Sequence, residues 1–108
     1  MKQEPFGPLV PVLTFKNFEE VVERANNNEL GLASYIYTNG MKKANRASEL
    51  MESGTVAVNT PVVAVAEAPF GGIKQTGYGR EGGSMAIKDY LNIKYTHFGI
   101  SFEWEKID

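Results

Sequence analysis

The chain alternates between short apolar runs of strand length and longer stretches with apolar residues at helical spacing. Residues 9–15 (LVPVLTF), 33–38 (ASYIYT) and 55–59 (TVAVN) are β-rich runs. Residues 18–26 and 41–53, which lie between them, place apolar side chains three and four positions apart, as an amphipathic helix does. The pattern predicts the order β-α-β-α-β over this part of the chain.

Polar residues and glycine mark where the two helices are expected to begin and end. Asn17 is a suitable N-cap for the first helix, and Glu20, three residues later, completes an asparagine version of the capping box. The asparagine run 26–28 and Gly31 would end this helix, and Gly54 stands where a C′ glycine would end the second. These signals predict helices of about three turns.

This alternation predicts an α/β fold with a parallel sheet and right-handed crossovers. The strand runs are apolar on both faces, as buried parallel strands are. We expect the β-α-β-α-β half of a doubly wound parallel sheet, then a glycine-rich loop, a short helix over residues 84–91 and a C-terminal strand of the kind that joins subunits. Because three strands and two helices leave much of a sheet uncovered, we expect a piece of something larger or a protomer that needs a partner.

The alternation near the end of the chain changes phase by one residue around His97. Ile93 and Tyr95 alternate with polar neighbours before it, and four large apolar residues alternate after it: Phe98, Ile100, Phe102 and Trp104. A one-residue shift moves the apolar set to the other face, so we expect a bulge or a change of sheet there. We divide the chain into residues 1–91 and a tail, 92–108, that serves as a subunit or sheet-addition contact. Packing of the tail on its own domain stays open.

Charge and composition exclude several classes of partner. The net charge is −2, and the 11 Lys and Arg residues are scattered along the chain. A nucleic-acid groove or an anionic membrane surface would need clustered cations, so neither partner is expected. No apolar run approaches the roughly 20 residues of a membrane span, and prolines interrupt the N-terminal region where a signal peptide would lie. A cytoplasmic location is therefore expected.

The residues of this chain do not make a complete catalytic site. It contains no cysteine, which removes thiolate nucleophiles, disulfides and thiolate metal sites. His97 is the one histidine, and no Gly-x-Ser-x-Gly elbow accompanies it. No metal site and no catalytic residue are therefore assigned.

Residues 68–83 form a glycine-rich segment that holds six of the chain's 11 glycines. Residues 77–82 match the dinucleotide pattern GxGxxG by letter, but that motif requires a strand directly before the first glycine. The nearest strand candidate, residues 55–59, ends far upstream of Gly77. A structural glycine loop is therefore favoured over a pyrophosphate loop.

Three segments, in this order, resemble the C-terminal part of the NAD(P)-dependent aldehyde dehydrogenase superfamily. They are Glu4-Pro5-Phe6-Gly7-Pro8, Val58-Asn59, and the glycine-rich segment from Pro69-Phe70-Gly71-Gly72-Ile73-Lys74 through Gly79-Arg80-Glu81-Gly82. The resemblance covers residues 4 to about 98. The Gly-Arg-Glu-Gly ending and residues 89–95 are most similar to succinate-semialdehyde dehydrogenases.

The resemblance implies a cofactor, NAD or NADP, and two residues that contact it. Glu4 would accept hydrogen bonds from the hydroxyls of the nicotinamide-side ribose, since one carboxylate can accept from two donors. Phe6 would pack beside the nicotinamide and limit its positions for hydride transfer. A weak nucleotide-binding role of Glu4 and Phe6 without the upstream fold is a further, less favoured interpretation.

The resemblance also implies a binding surface for a small aldehyde. Residues 60–68 would line the entrance, with Val62 and Ala64 on it, and Phe70 would form an aromatic wall. Core packing of the valines remains open. Ala64 takes the place where succinate-semialdehyde enzymes commonly have a serine for the distal carboxylate, which argues against that substrate.

In this family the cysteine nucleophile, the general base and most of the dinucleotide-binding fold precede the segment that corresponds to residues 4–8 (EPFGP) of this chain. The chain is thus expected to be a C-terminal part of an aldehyde-oxidising enzyme, inactive alone, that associates with the N-terminal portion or forms a homo-oligomer. A standalone assembly module derived from the same fold is the alternative.

Overall fold

The computed structural model describes residues 4–99, in which two helices alternate with short strands. The elements are α1 (Phe18–Asn26), β1 (Leu30–Gly31), β2 (Ala33–Ile36), α2 (Met41–Leu50), β3 (Thr55–Val58), β4 (Ile73–Lys74) and a 3₁₀ helix (Ala86–Tyr90). The order strand, helix, strand around α2 follows the prediction. The short helix expected over residues 84–91 is the 3₁₀ helix, which is shorter and more tightly wound.

The strands form two separate pairs instead of one three-stranded parallel sheet. β2 and β3 are parallel, with Ala33 opposite Thr55 and Ile36 opposite Val58. β1 pairs with β4 in antiparallel orientation. The parallel pair with α2 between its strands is therefore the predicted βαβ unit. The antiparallel pair joins the glycine-rich segment to the region just before β2, a contact that periodicity did not predict.

The strand predicted at residues 9–15 does not form. Residues 4–15, which we call the N-terminal arm, have no regular secondary structure, and Val10 and Leu13 are 84% and 74% exposed. A strand needs a neighbour for its backbone hydrogen bonds, and no described residue pairs with this run. Pro11, in its centre, also lacks a backbone N–H. The predicted burial of this run is therefore not observed within residues 4–99.

The alternating apolar pattern near the C-terminus forms no strand within residues 91–99. Residues 91–99 are without regular secondary structure, and Ile93 is fully exposed. The expected strand at residues 93–95 and the bulge at His97 are therefore not observed. Most of the second half of that alternation, Ile100, Phe102 and Trp104, lies outside the described residues.

Helix α1 begins where its capping residues predicted. The Asn17 side chain accepts a hydrogen bond from the Glu20 backbone N–H at 2.9 Å. The Glu20 carboxylate does not return a bond to Asn17 as in the standard capping box; it accepts from the Lys16 backbone N–H at 2.9 Å and pairs with Arg24 at 3.0 Å. The cap therefore spans one residue more than expected.

The same contacts change the acidity of Glu20. The Lys16 amide that donates to its carboxylate, and then the Arg24 guanidinium, lower the pKa of Glu20 from its ordinary value of 4.5. A carboxyl group with a lowered pKa in the folded state stabilises that state above its ordinary pKa. This contribution is lost as the pH falls through the lowered value.

Helix α2 ends earlier than predicted, at Leu50, and Met51 already has an extended backbone. Gly54 is therefore not its C′ residue. Glycine is required there for another reason: a β-carbon at Gly54 would collide with the backbone carbonyl of Gly71. The residue marks a close approach of two backbones, β3 and the glycine-rich segment, rather than a helix end.

The buried apolar side chains within the described residues are all small. Ala44 and Ala47 of α2 and Ala57 of β3 form this core, at 5%, 8% and 4% exposure. Alanines at these positions let the helix lie close to the strand, but they bury little apolar area. None of the helices within residues 4–99 is long and apolar enough to cross a membrane.

We expect Asn17→Ala to destabilise the first turn of α1. The variant removes the acceptor of the Glu20 N–H, and loss of an N-cap side chain costs about 1 kcal/mol, or about fivefold in the opening equilibrium. Amide hydrogen exchange over residues 18–26 should accelerate by that factor. The control is Asn27→Ala, because the Asn27 side chain makes no hydrogen bond within residues 4–99. Equal acceleration in both variants would contradict the capping role.

Candidate functional site

The predicted site residues lie on three segments that lack regular secondary structure for most of their length. Glu4 and Phe6 are on the N-terminal arm. Val62 and Ala64 are on residues 60–69, which we call the entrance loop; it follows β3, and its last two residues are the first two of the glycine-rich segment. Phe70 is the residue directly after this loop and is half-buried.

The entrance loop presents its apolar side chains outward. Val62 is 57% exposed, and Ala64 is also exposed, whereas Val63 between them is half-buried. The loop turns immediately after its first residue, where the Val62 backbone N–H donates to the Thr60 hydroxyl oxygen at 3.2 Å. Within the described residues, core packing therefore applies better to Val63 than to Val62.

The far end of the entrance loop is held by the glycine-rich segment. Phe70 and Glu81 exchange two backbone hydrogen bonds, of 2.7 and 2.8 Å, and the Gly83 N–H donates to the Ala66 carbonyl oxygen at 2.8 Å. Gly82 has φ of 69° and a β-carbon on it would lie 2.7 Å from the Ala68 carbonyl oxygen. Only glycine suits both that conformation and that approach. The segment thus works as a clamp on residues 66–70.

The near end of the entrance loop is held by Asn59. Its backbone N–H donates to the Ile36 carbonyl oxygen at 2.8 Å, which extends the parallel ladder by one bond. Its side-chain Oδ1 accepts from the Thr38 N–H and its Nδ2 donates to the Thr38 carbonyl oxygen, both at 2.9 Å. Asn59 has φ of 55°, so the chain turns out of the sheet at this residue. The sequence motif Val58-Asn59 therefore has a definite structural basis.

The GxGxxG letters do not form a phosphate cradle. A cradle needs free backbone N–H groups, but three in this region already donate within the protein. The Gly77 N–H donates to the Lys74 carbonyl, the Glu81 N–H to the Phe70 carbonyl, and the Arg80 N–H to the Asp89 carboxylate at 2.7 Å. The carboxylate of Asp89 stands where a bound anion would be expected. This geometry supports the structural interpretation of the motif.

Lys74 is a connecting residue that the sequence reasoning missed. Its ammonium group donates to the carbonyl oxygens of Asn26 and Asn28, at 2.9 and 3.1 Å, and lies 2.5 Å from the Glu52 carboxylate. It thereby satisfies carbonyl groups at the C-terminal end of α1, where a cation is favoured. Its partners lie 22 to 48 positions away in the sequence, and Lys74 has φ of 57°. No local pattern signals such a contact.

Glu4 and Phe6 are not brought to the entrance loop by this chain alone. Phe6 is 93% exposed, and the Glu4 side chain makes no hydrogen bond within residues 4–99. Glu4 borders an open space of about 1360 Å³ that lies beside the connection from α1 to β2. Neither Val62 nor Phe70 lines that space. The two predicted sites are therefore separate features of the chain.

The acidic residues and His97 form no metal centre in the part of the chain that is described. Within residues 4–99, no three His, Asp or Glu side chains converge on one point. His97 is exposed, and its Nδ1 lies 3.3 Å from the Tyr95 hydroxyl group.

Comparison with known proteins identifies the family. Residues 1–96 match the model of the aldehyde dehydrogenase family. The chain is 52% identical over 97 residues to 3-sulfolactaldehyde dehydrogenase of Pseudomonas putida, which covers 90% of this chain and 20% of that enzyme. It is 46% identical over 99 residues to the NADP(+) succinate-semialdehyde dehydrogenase GabD of Escherichia coli K12, covering 92% and 20%.

Solved structures agree with the sequence matches. Succinate-semialdehyde dehydrogenase of Burkholderia pseudomallei superimposes with a TM-score of 0.82 at 46% identity, over 88% of this chain and 20% of that one. An NAD+ complex of an aldehyde dehydrogenase from Bacillus cereus gives a TM-score of 0.82 at 46% identity, over 86% and 19%. The chain belongs to the aldehyde dehydrogenase family. It spans about a fifth of the length of the curated relatives that it matches.

The family resemblance read from the sequence is thus confirmed, including its similarity to succinate-semialdehyde dehydrogenases. GabD is named as an NADP(+) enzyme and the Bacillus cereus structure is an NAD+ complex, which agrees with the cofactor that the resemblance implied. The α/β class is confirmed as well, although the doubly wound sheet is not formed within residues 4–99.

We expect Lys74→Met to lower the free energy of unfolding by roughly 1–3 kcal/mol, because hydrogen bonds from a charged donor to three partners are lost. Methionine keeps the unbranched stem and the same backbone demand at φ of 57°. Lys42→Met is the control, since the Lys42 side chain on α2 makes no hydrogen bond or ion pair within residues 4–99. Denaturant unfolding measures the difference. A loss in the control as large as in Lys74→Met would contradict this role.

Proposed function

We propose that this chain forms the aldehyde-entrance wall and the nicotinamide-ribose contact of an NAD(P)-dependent enzyme that oxidises a small aldehyde to a carboxylate. The observation that carries the proposal is the match of residues 1–96 to the aldehyde dehydrogenase family. The geometry adds that the entrance loop is held at both of its ends while its apolar side chains face outward. That arrangement suits a surface that guides an apolar part of a substrate.

The cofactor role rests on the chemistry of Glu4 and Phe6. NAD(P)+, when bound, accepts the hydride from the aldehyde carbon. The Glu4 carboxylate has no side-chain partner within residues 4–99, so both of its oxygens are free to accept hydrogen bonds from a ribose diol. Phe6 is 93% exposed and provides an aromatic surface for a flat ring. These residues fit the group, and we assign them to holding and orienting it.

The substrate role rests on Val62, Ala64 and Phe70. The first two are exposed on the entrance loop, and Phe70 is placed by its backbone pairing with Glu81. Residues 60–68 carry one charged side chain, Glu67, and no cation. The loop thus gives apolar contact and no cationic side chain for an anion.

The names of the relatives indicate a class of aldehyde. Sulfolactaldehyde, succinate semialdehyde and glutarate semialdehyde are short aldehydes with a sulfonate or carboxylate group. Ala64 in this chain supplies no hydroxyl donor to such a group. A substrate anion, where one is present, must therefore find its cation outside the entrance loop. We propose a small aldehyde as the substrate on this basis.

The reaction needs residues that this chain does not contain. Aldehyde oxidation by a covalent route requires an activated nucleophile, and the chain has no cysteine. No carboxylate in residues 60–83 has the motif context of the general base. We therefore propose that the chain acts as part of a longer enzyme and not as a catalyst by itself.

A second candidate function is a standalone assembly module built from the same fold. It is favoured by the apolar side chains near the end of the described chain: Ile93, Tyr95 and Phe98 are 100%, 83% and 84% exposed. Large exposed apolar groups of this kind mark contact surfaces. In a full-length enzyme the same side chains would pack against the rest of the protein or against a second subunit. The two candidate functions therefore differ in whether this chain forms an oligomer by itself.

We expect the isolated 108-residue chain to show no aldehyde-dependent reduction of NAD+ or NADP+, because the nucleophile is missing. The assay follows absorbance at 340 nm with succinate semialdehyde and glutarate semialdehyde, and GabD of Escherichia coli is the positive control. Turnover by the chain would contradict the proposal. Light scattering on the same sample separates the alternative: a stable, uniform dimer would favour the assembly module.

We expect Glu4→Gln in the full-length enzyme to raise the KM for NAD(P)+ about tenfold, because hydrogen bonds from hydroxyls to a carboxylate become weaker bonds to an amide. The KM for the aldehyde should stay within about twofold. Steady-state kinetics measure both. The matched control is Glu23→Gln, an exposed glutamate on α1 whose side chain makes no hydrogen bond within residues 4–99. An unchanged cofactor KM in Glu4→Gln would refute the assignment.

A further inference from the structure

We infer that Asn59 is a positioning residue for the aldehyde-entrance loop, which it anchors to the β2-α2-β3 unit. The inference rests on the proposed function, because it assigns to Asn59 the placement of Val62 and Ala64 against the substrate. Asn59 itself need not touch the aldehyde. Its role follows from where it stands, how its backbone turns and what its side chain binds.

Asn59 stands at the carboxyl end of the parallel pair. β3 ends at Val58, and the Asn59 N–H still donates to Ile36, the last residue of β2. Ligand-binding loops of α/β folds commonly leave the sheet at this edge. The entrance loop begins at the next residue, so Val62 is three positions from Asn59 and Ala64 five.

The backbone of Asn59 redirects the chain. Its φ of 55° lies in the left-handed region, which asparagine tolerates better than most residues other than glycine. Because the main chain leaves the sheet here, β3 provides no further backbone groups beside the neighbouring chain. Thr38, two residues beyond the end of β2, is therefore left without a backbone partner from β3.

The side chain of Asn59 supplies that missing partner. Its carboxamide has one acceptor and one donor, and both are used on the main chain of Thr38 at 2.9 Å. A carboxylate could accept but not donate, and glycine could do neither. Asn59 is therefore the residue type that both turns the chain and completes the pairing.

The anchor extends to the start of α2. The Thr38 hydroxyl oxygen accepts from the Gly40 N–H at 3.2 Å, and Gly40 is the N-cap position of α2. Asn59 thus ties the first residue of the entrance loop to a strand end and, through Thr38, to a helix start. The other end of the loop is held separately, by Phe70 with Glu81 and by Gly83 with Ala66.

Loss of the carboxamide should therefore release only the near half of the loop. Residues 60–64 would gain freedom, while residues 66–70 would stay clamped. Val62 and Ala64 lie in the released half and Phe70 in the clamped half. The expected effect is weaker aldehyde binding with little effect on the cofactor site, which involves the separate N-terminal arm.

The test uses the full-length enzyme that contains this sequence, with Asn59→Gly as the principal variant. Glycine keeps the left-handed backbone and removes both side-chain bonds to Thr38. We expect the KM for the aldehyde to rise about tenfold, with kcat and the KM for NAD(P)+ within about twofold. Hydrogen exchange over residues 60–64 should accelerate by a similar factor, with no change over residues 41–50.

Two further variants separate positioning from general damage. Asn59→Asp keeps the size of the side chain and directs a carboxylate oxygen at the Thr38 carbonyl, so it should raise the aldehyde KM at least as much as glycine does. Asn45→Asp introduces the same charge at an exposed asparagine of α2 whose side chain makes no hydrogen bond within residues 4–99, and it should leave the kinetics unchanged.

The outcomes are distinguishable from those of the proposed function. An active parent enzyme with an unchanged aldehyde KM in Asn59→Gly would overturn this inference alone. A similar rise in both KM values, together with a loss of exchange protection throughout the chain, would also overturn the inference. Such a result would show that Asn59 has a general structural role. A parent enzyme that binds NAD(P)+ but oxidises no aldehyde would overturn the proposed function, while the exchange of residues 60–64 would still test the anchor.

Discussion

The parallel pairing of β2 with β3 is the interaction on which the other features of this chain depend. It places Ile36 beside Val58, and α2 connects the two strands. Ala44 and Ala47 of α2 lie in the same small core as Ala57 of β3. A parallel pair needs a crossover connection, and α2 supplies it here. The entrance loop departs from the carboxyl end of this pair. Beside its amino end, the Gly71 carbonyl group of the glycine-rich segment lies so near Gly54 that a β-carbon there would collide with it.

The glycine-rich segment has a positional role in this arrangement. It is joined to the region before β2 by β4 and by Lys74, and to the entrance loop by the pairing of Phe70 with Glu81. Several of its amides, including those of Gly77, Arg80 and Glu81, donate hydrogen bonds within the protein, so the segment holds other parts of the chain in place. Its glycines allow backbones to approach where any side chain would intervene.

The buried apolar core of the described residues consists of three alanines, while many larger apolar side chains are exposed. An interior this small stabilises a fold weakly, since stability follows the apolar area removed from water. Membership in a family whose curated relatives are about five times as long gives a physical reason for that exposure. Side chains such as Leu13 on the arm have the character of interior residues, and their burial requires protein beyond residues 4–99.

Features with a local cause were predictable from the sequence. Helix α1 has the predicted bounds because Asn17 caps it through a residue three positions away. The strands around α2 followed from their apolar runs, to within two residues. Residues 9–15 have the apolar composition of a buried strand, but no strand within residues 4–99 pairs with them, so their backbone forms no ladder.

For the candidate site, the motifs identified the family and the segments, but not their anchors. Lys74 binds Asn26 across 48 positions, and Asn59 binds Thr38 across 21. Hydrophobic periodicity reports on neighbouring positions and cannot predict contacts between residues so far apart in the sequence. Without knowledge of these contacts, the match to GxGxxG is ambiguous. The sequence by itself determined helix α1, the strands on either side of α2, the lack of cysteine in these 108 residues and the family. Only the tertiary structure decided which backbone amides are occupied, which residues hold the entrance loop and why Gly54 must be glycine, because those properties arise when distant segments meet.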